Sequence, residues 1–509
     1  MPEPAPDGRG PCVLALDVGS SSVRARAYDA AGRALAAVPT ARVECVWTAT
    51  PEGGMETAAD GLLQAVAEVL DTAVARLRAA GVEVSAVSTA TFWHSLLGVG
   101  ADGRPLTPVY GWGDMRAADA ALRLRERVDE SAMHARTGCF LHPSYPAVKL
   151  LWLRGAAGDT FSRAAAWMSF AEYLELRFFG VRRCSLSMAS GTGLLDLRRR
   201  AWDAEMLEMV GVAEEALSPL VDADAPALPL RAEWARRWPE LDGIPWLPPL
   251  GDGACANLGS GASGEAPVGV TVGTSAAVRA LWRGEPVRIP RGLWCYRLDA
   301  ERLVMGRALS NAGNGVAWLR ESWRLPPEAE AEAEIAAMQP HAHGLLVLPL
   351  LLGERAPGWE EWRGASILGL TRATRPVEVL RAWLEGVSYH LAGALDALEG
   401  ALGPVSQVVA SGGAMHASPT WRRILADVLG RRVVLSRERE ETSRGAALMA
   451  LERLGVLPAG AAEAPPTEDP SEPDPVRHER YRAARARQAE AEALLARLGP
   501  ADAAEGGGP

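Results

Sequence analysis

The chain starts the same way twice. A short apolar run, Cys12 to Leu16, ends on Asp17-Val18-Gly19-Ser20-Ser21-Ser22, and about half the chain later Val268-Gly269-Val270-Thr271-Val272 ends on Gly273-Thr274-Ser275. Each reads as a buried strand that stops in a tight turn of glycine and hydroxyl residues. The match is short, but a repeat at half-chain spacing constrains a chain of 509 residues to two units of one design. The length itself fits about two to four domains.

Around each start the pattern is that of a mixed α/β fold. Val23 to Tyr28 reads as a second strand, Asp29-Ala30-Ala31-Gly32 as a turn, and Arg33 to Val38 as a return to extended chain, which makes an antiparallel meander. Leu62, Leu63, Val66, Val69, Leu70, Val74 and Leu77 then form a helical stripe over Ala58 to Ala80, closed by Gly81. Strand Val82 to Ser88 leads to Thr91-Phe92-Trp93-His94. In the second half, helix Pro376 to Leu398 feeds strand Val405 to Ala410, the turn Ser411-Gly412-Gly413, and a helix capped by Ser418 with Pro419 at its first position. Beyond Pro458 the Ala, Pro and Glu content predicts a linker, followed by a helix from Pro475 to Leu498. The expected division is a flexible leader 1–10, a domain over 11–256, a second over 257–498 and a disordered tail 499–509.

Charge and composition remove several functional classes. A net charge of -10 argues against a nucleic-acid partner. The longest apolar run, Gly344 to Gly353, is too short for a bilayer, and the N-terminus lacks signal-peptide architecture, so the expected location is the cytoplasm. Six cysteines without a C-x-x-C pair predict neither zinc nor a disulfide framework. Of 53 basic residues only Lys149 is lysine, and no glycine precedes it. A lysine-dependent phosphate loop is therefore excluded. Any nucleotide phosphates must be held by backbone amides, hydroxyls, arginine and a metal.

Three glycine turns at strand ends are the candidates for that work. In Asp17 to Arg24, Gly19 lets the backbone approach a phosphate, Ser20, Ser21 and Ser22 offer donors, Arg24 can pair with anionic oxygens, and Asp17 can hold a hydrated Mg²⁺. Thr271 to Ser275 and Ser411 to Ala414 are the others; each alone is also an ordinary turn. Asp252, flanked by Gly251 and Gly253, can accept the proton of an attacking hydroxyl, although Asp-Gly is a common turn as well. His94 at a strand end, and Trp112 beside Asp114, are suited to gripping a polyol; a core histidine is the competing reading.

Taken in order, these segments resemble the FGGY family of carbohydrate kinases. The resemblance runs from DVGSSSVR through WGDMR (Trp112 to Arg116), GDG (Gly251 to Gly253), TVGTS, NAGNGVAWLR (Asn311 to Arg320), GERAPGW (Gly353 to Trp359) and SGGAMHASPTWRRILADVLGRRV (Ser411 to Val433). It implies two actin-like, ribonuclease-H-type domains, the first binding sugar and the second ATP, with the ligands in the cleft between them. It further implies Asp252 as catalytic base, Asp17 as the metal-associated acid, and Gly19, Ser20, Ser21 and Arg24 as the first phosphate loop. Gly273 with Thr274, Gly313 with Asn314, and Gly412 with Gly413 become ATP-binding turns, and Trp93, His94, Trp112 and Asp114 substrate-binding residues. ATP and Mg²⁺ are the implied cofactors, a small sugar or sugar acid the partner, and a homodimer a compatible assembly. Gluconate kinases are the most similar members, through Trp93 to Ala117, Arg136 to Arg154 and Met188 to Asp203; Trp93 departs from the methionine usual before that histidine. Xylulose kinases, or a kinase for another polyol or ketose, are the alternative, and an actin-like ATPase switch without sugar kinase activity the remote one.

Overall fold

The computed structural model describes residues 10–264, 268–354, 358, 363–458, 460, 463–468 and 470–497. The expected leader (apart from Gly10), the expected tail, and Arg355, Ala356, Pro357 and Trp359 of the GERAPGW segment lie outside the described residues.

The repeat read from the sequence is a repeat of sheet topology. In the first half, β1 (Val13–Val18), β2 (Ser22–Tyr28), β3 (Ala41–Glu44), β4 (Ala86–Thr91) and β5 (Leu250–Gly251) lie in the order β5-β4-β1-β2-β3. The meander β1-β2-β3 is antiparallel, and β4 and β5 add in parallel on its other side. The second half holds β6 (Val268–Val272), β7 (Ala276–Arg283), β8 (Trp294–Arg297), β9 (Arg302–Leu309), β10 (Gln407–Ser411) and β11 (Arg432–Leu435), ordered β8-β9-β7-β6-β10-β11. Here too an antiparallel hairpin and third strand are followed by two parallel strands, with β8 as an extra edge. Both first strands are buried along nearly their whole length, as strands covered on two faces must be.

Helices complete the layers. Helix α1 (Ala59–Ala80) buries the predicted leucine and valine stripe and stops where Gly81 turns left-handed at φ +60°. Four further helices pack on the sheets or on one another: α2 (Asp252–Gly259), α3 (Gly313–Ser322), α4 (Pro376–Leu402) and α5 (Glu441–Arg453). Although α5 follows the second sheet in sequence, it reaches back to the first: the Tyr28 hydroxyl is 2.7 Å from Ser443 Oγ, and Arg444 donates to the Gly32 and Gly259 carbonyls at 3.0 and 2.8 Å.

Three local expectations are corrected. Arg33 to Val38 contributes only one bridge, Tyr28 to Ala34; Val38 N–H turns back to Leu35 O, Pro39 has no donor, and the third strand begins at Ala41. The division at 256/257 falls inside helix α2, whose last residue is Gly259. The segment after Pro458 is not a free linker throughout, because Ser471 and Val433 exchange backbone hydrogen bonds at 2.8 and 3.0 Å along the edge of β11. Among the described residues no helix is long and apolar enough to cross a membrane.

Candidate active site

Strand ends of both sheets meet at one cleft of about 340 Å³. Its wall includes Ser20 from the first turn, Thr271 and Ser275 from the second, Trp93, His94 and Trp112, and Asp252 at the first position of α2. Ligands gather at the carboxyl ends of strands in such sheets, where turns expose backbone N–H groups.

The three turns of the second half are built against one another. Gly313 N–H donates to Gly273 O at 2.9 Å and Asn314 N–H to Thr274 O at 3.0 Å, which seats the start of α3 on the hydroxyl turn. Asn314 shapes that start, its Oδ1 accepting from the Ala312 and Gly315 N–H groups at 2.8 Å. Gly412 stands at φ +92°, where a Cβ would lie 2.5 Å from Val272 O, so glycine is required on both counts. Gly273 and Gly413 face open space.

The first turn carries charge. Asp17 is opposite Arg24 in the β1-β2 ladder, and Arg24 Nη1 lies 3.7 Å from Asp17 and 3.0 Å from Glu440. Burial pushes Asp17 up to about 7; Arg24 opposes that rise, while Asp252, Glu440 and Glu441 add to it. Burial also raises Glu441 to about 7. Ser22 Oγ and Arg24 Nε are buried without a hydrogen-bond partner among the described residues.

On the opposite wall, His94 adopts φ +66°, rare for a residue with a side chain. Its Nδ1 is 2.6 Å from Gly191 O, and its ring stands edge-on to Tyr145, centroids 4.8 Å apart. Lys149, fully buried, donates to the carbonyls of Ser144 and His94, the latter at 3.4 Å. The single lysine therefore supports the wall of the cleft that carries His94. Trp93 donates to Ser187 O at 2.9 Å, and its ring lies where a Cβ on Gly251 would be. It is thus the floor beneath the Asp252 turn as well as part of the wall.

One predicted substrate residue is not brought to the cleft. Asp114 is buried and its carboxylate is spent on Arg116 and on the N–H of Met55 at 3.2 Å, while Arg116 also pairs with Glu56 at 2.6 Å. It fixes the loop that carries Trp112. Conversely, sequence reasoning missed Arg279, Trp294, Tyr296, Tyr145 and Glu441, all of which line the cleft. Trp294 and Tyr296 stack at 4.5 Å, and the Tyr296 hydroxyl is 2.7 Å from that of Tyr145. Their spacing of two along β8 puts them on one face, which was the available signal.

Residues 12–259 match the model of the FGGY carbohydrate kinase N-terminal domain and residues 268–452 that of the C-terminal domain. The chain belongs to the FGGY family of carbohydrate kinases. A gluconokinase of Bacillus subtilis (strain 168) is 30% identical to this FGGY kinase over 390 residues, covering 73% of this chain and 75% of the relative. A glycerol kinase of Thermus brockianus is 32% identical over 362 residues, 68% and 70% of the two chains. The crystal structure of a gluconate kinase from Lactobacillus acidophilus superposes with a TM-score of 0.88 at 25% identity, covering 95% and 98%. This FGGY kinase is accordingly an ATP-dependent sugar kinase with two domains of the family's fold, and its substrate is a small sugar molecule.

Proposed function

We propose that the enzyme phosphorylates the terminal primary hydroxyl of gluconate, giving 6-phosphogluconate and ADP, with Asp252 as the group that receives the hydroxyl proton. The observation that carries this reading is the position of Asp252: it heads α2 between two glycines, in the same cleft as the hydroxyl turns on one side and His94 and Trp112 on the other. Gluconate is favoured by the gluconokinase relative and by the substrate-side stretches around Trp93 to Ala117.

The donor set fits Mg²⁺, which prefers one or two carboxylates plus phosphate oxygens and water. Asp17 would hold it, with the Asp252, Glu440 and Glu441 charges near enough to push its carboxyl up. Bound there, the ion supplies charge neutralisation at the phosphates. The chain's own residues do the rest. Ser20, Gly273, Thr274, Gly313, Gly412 and Gly413 orient the triphosphate through amides and hydroxyls, Trp93 keeps the Asp252 turn in place, and Asp252 aligns the hydroxyl.

Steady-state kcat/KM for gluconate, xylulose, ribulose and glycerol tests the substrate. Gluconate is expected to lead; a neutral acceptor preferred by about tenfold or more would overturn it. For the base, Asp252→Asn should lower kcat by roughly 100-fold or more, and near-normal turnover in a folded variant would remove the assignment.

A further inference from the structure

We propose that Arg279 contacts the phosphoryl group as it is transferred, doing the work that a phosphate-loop lysine does in other ATP enzymes; this rests on the kinase reading of the cleft with Asp252 as proton acceptor. Arg279 lines the cleft from β7, and its Nη1 donates to Thr271 Oγ1 at 3.3 Å. That hydroxyl is 3.1 Å from Ser411 Oγ, so the guanidinium sits where the turns after β6 and β10 adjoin. On its other side it reaches the Asp252 turn: a Cβ on Gly253 would be 3.2 Å from Arg279 Nε. A Cβ on Gly306, across the ladder, would be 3.0 Å from Arg279 Cγ. Two glycines thus leave room for one long cation between the proposed base and the hydroxyl turns.

Its charge is available, whereas that of Arg24 is not. Arg24 is pinned by Glu440 at 3.0 Å and Asp17 at 3.7 Å, while among the described residues no carboxylate lies within 4.0 Å of the Arg279 guanidinium. Burial favours the uncharged form of Arg279, with only the more distant Asp252 and Glu441 charges opposing this. A poorly solvated cation of this kind gains most when negative charge arrives. In the transfer, the sugar oxygen bonds to the γ-phosphorus as the bond from phosphorus to the bridging oxygen breaks. The electron pair of that bond leaves with ADP, and the hydroxyl proton passes to Asp252. Arg279 would balance the charge spread over the three oxygens of the moving group, which a planar guanidinium can meet two at a time.

The test compares Arg279→Lys, Arg279→Gln and Arg279→Ala with the parent enzyme, using ATP with gluconate and with xylulose. Whichever acceptor supports turnover in the parent serves for the variants, so a failed substrate assignment shows in the parent alone. Loss of one charge-stabilising donor should lower kcat by about 100-fold or more in Arg279→Gln for either acceptor, with acceptor KM changed by less than about threefold. Arg279→Lys should recover part of the loss, and millimolar guanidinium should raise kcat in Arg279→Ala. A rise in gluconate KM alone, with kcat and neutral acceptors spared, would overturn the proposal in favour of Arg279 reading the substrate carboxylate. A folded Gln or Lys variant with kcat within about twofold of the parent would overturn it outright. If the Gln and Ala variants do not fold, the Lys variant decides.

Discussion

The first turns of the two halves stand on the same scaffold and differ in charge. In the first half, Asp17 faces Arg24 across the β1-β2 ladder; in the second, Thr271 faces Ala277 across β6-β7. Asp17 is surrounded by Asp252, Glu440 and Glu441, whereas Thr271 is bonded to the Ser411 hydroxyl and approached by Arg279. One copy of the design has become the acidic side, fit for a cation and a proton acceptor. The other holds hydroxyls and is approached by a cation, fit for a polyanion. Strand order alone therefore does not decide the charge of a turn; one or two side chains at the strand end do.

Exchanging those side chains should expose the division. Removing the acid from the first turn, Asp17→Asn, should cost the most, lowering kcat by roughly 100- to 1,000-fold at saturating ATP and Mg²⁺ in a coupled ADP assay. Copying the acid into the second turn, Thr271→Asp, should raise KM for ATP by about tenfold through repulsion of the phosphates, with KM for the sugar nearly unchanged. If both KM values moved together, the two turns would not be separate ligand sites. Gly412→Ala forces a side chain into φ +92° and against Val272 O, at a cost of about 1–3 kcal/mol in chemical denaturation.

The smallest effect is one of pH on the ligand-free enzyme. Burial raises Asp17 from 3.8 to about 7, so the folded chain holds this proton more tightly than the unfolded chain does. Its contribution to stability is fully present below about pH 4 and is lost as pH rises through about 7. The thermal midpoint of Asp17→Asn should therefore decline less than that of the parent between these values. A parallel decline would show that Asp17 does not carry the charge imbalance of the first turn.

Much of this was legible in the sequence, for identifiable reasons. A strand, a glycine and a hydroxyl make a local signal, so DVGSSS, TVGTS and SGG could each be placed at a strand end, and the half-chain repeat followed. Helix α1 was equally open to reading, because its stripe and Gly81 lie within one stretch. Arg279 was not, since its meaning depends on Gly253, Gly306 and Thr271, which only folding brings together. Asp114 differs for the opposite reason: its near neighbour Trp112 lines the cleft, but its own carboxylate turns to Arg116. A sequence shows which residues adjoin an acid along the chain, and not which cation claims it.

The crossing of α2 and α5 has a mechanical consequence. A Cβ on Gly259 would fall 1.8 Å from Glu441 O and one on Gly445 would fall 1.9 Å from Cys255 O, so the two helices touch backbone to backbone. Asp252 and Glu441 are the first residues of those same helices. Like the rivet of a pair of tongs, such a contact keeps nearby points fixed while distant points travel. Rotation of the halves about it would widen the mouth of the cleft more than it would separate Asp252 from Glu441, so that ligands could enter and leave while these two acids keep their spacing.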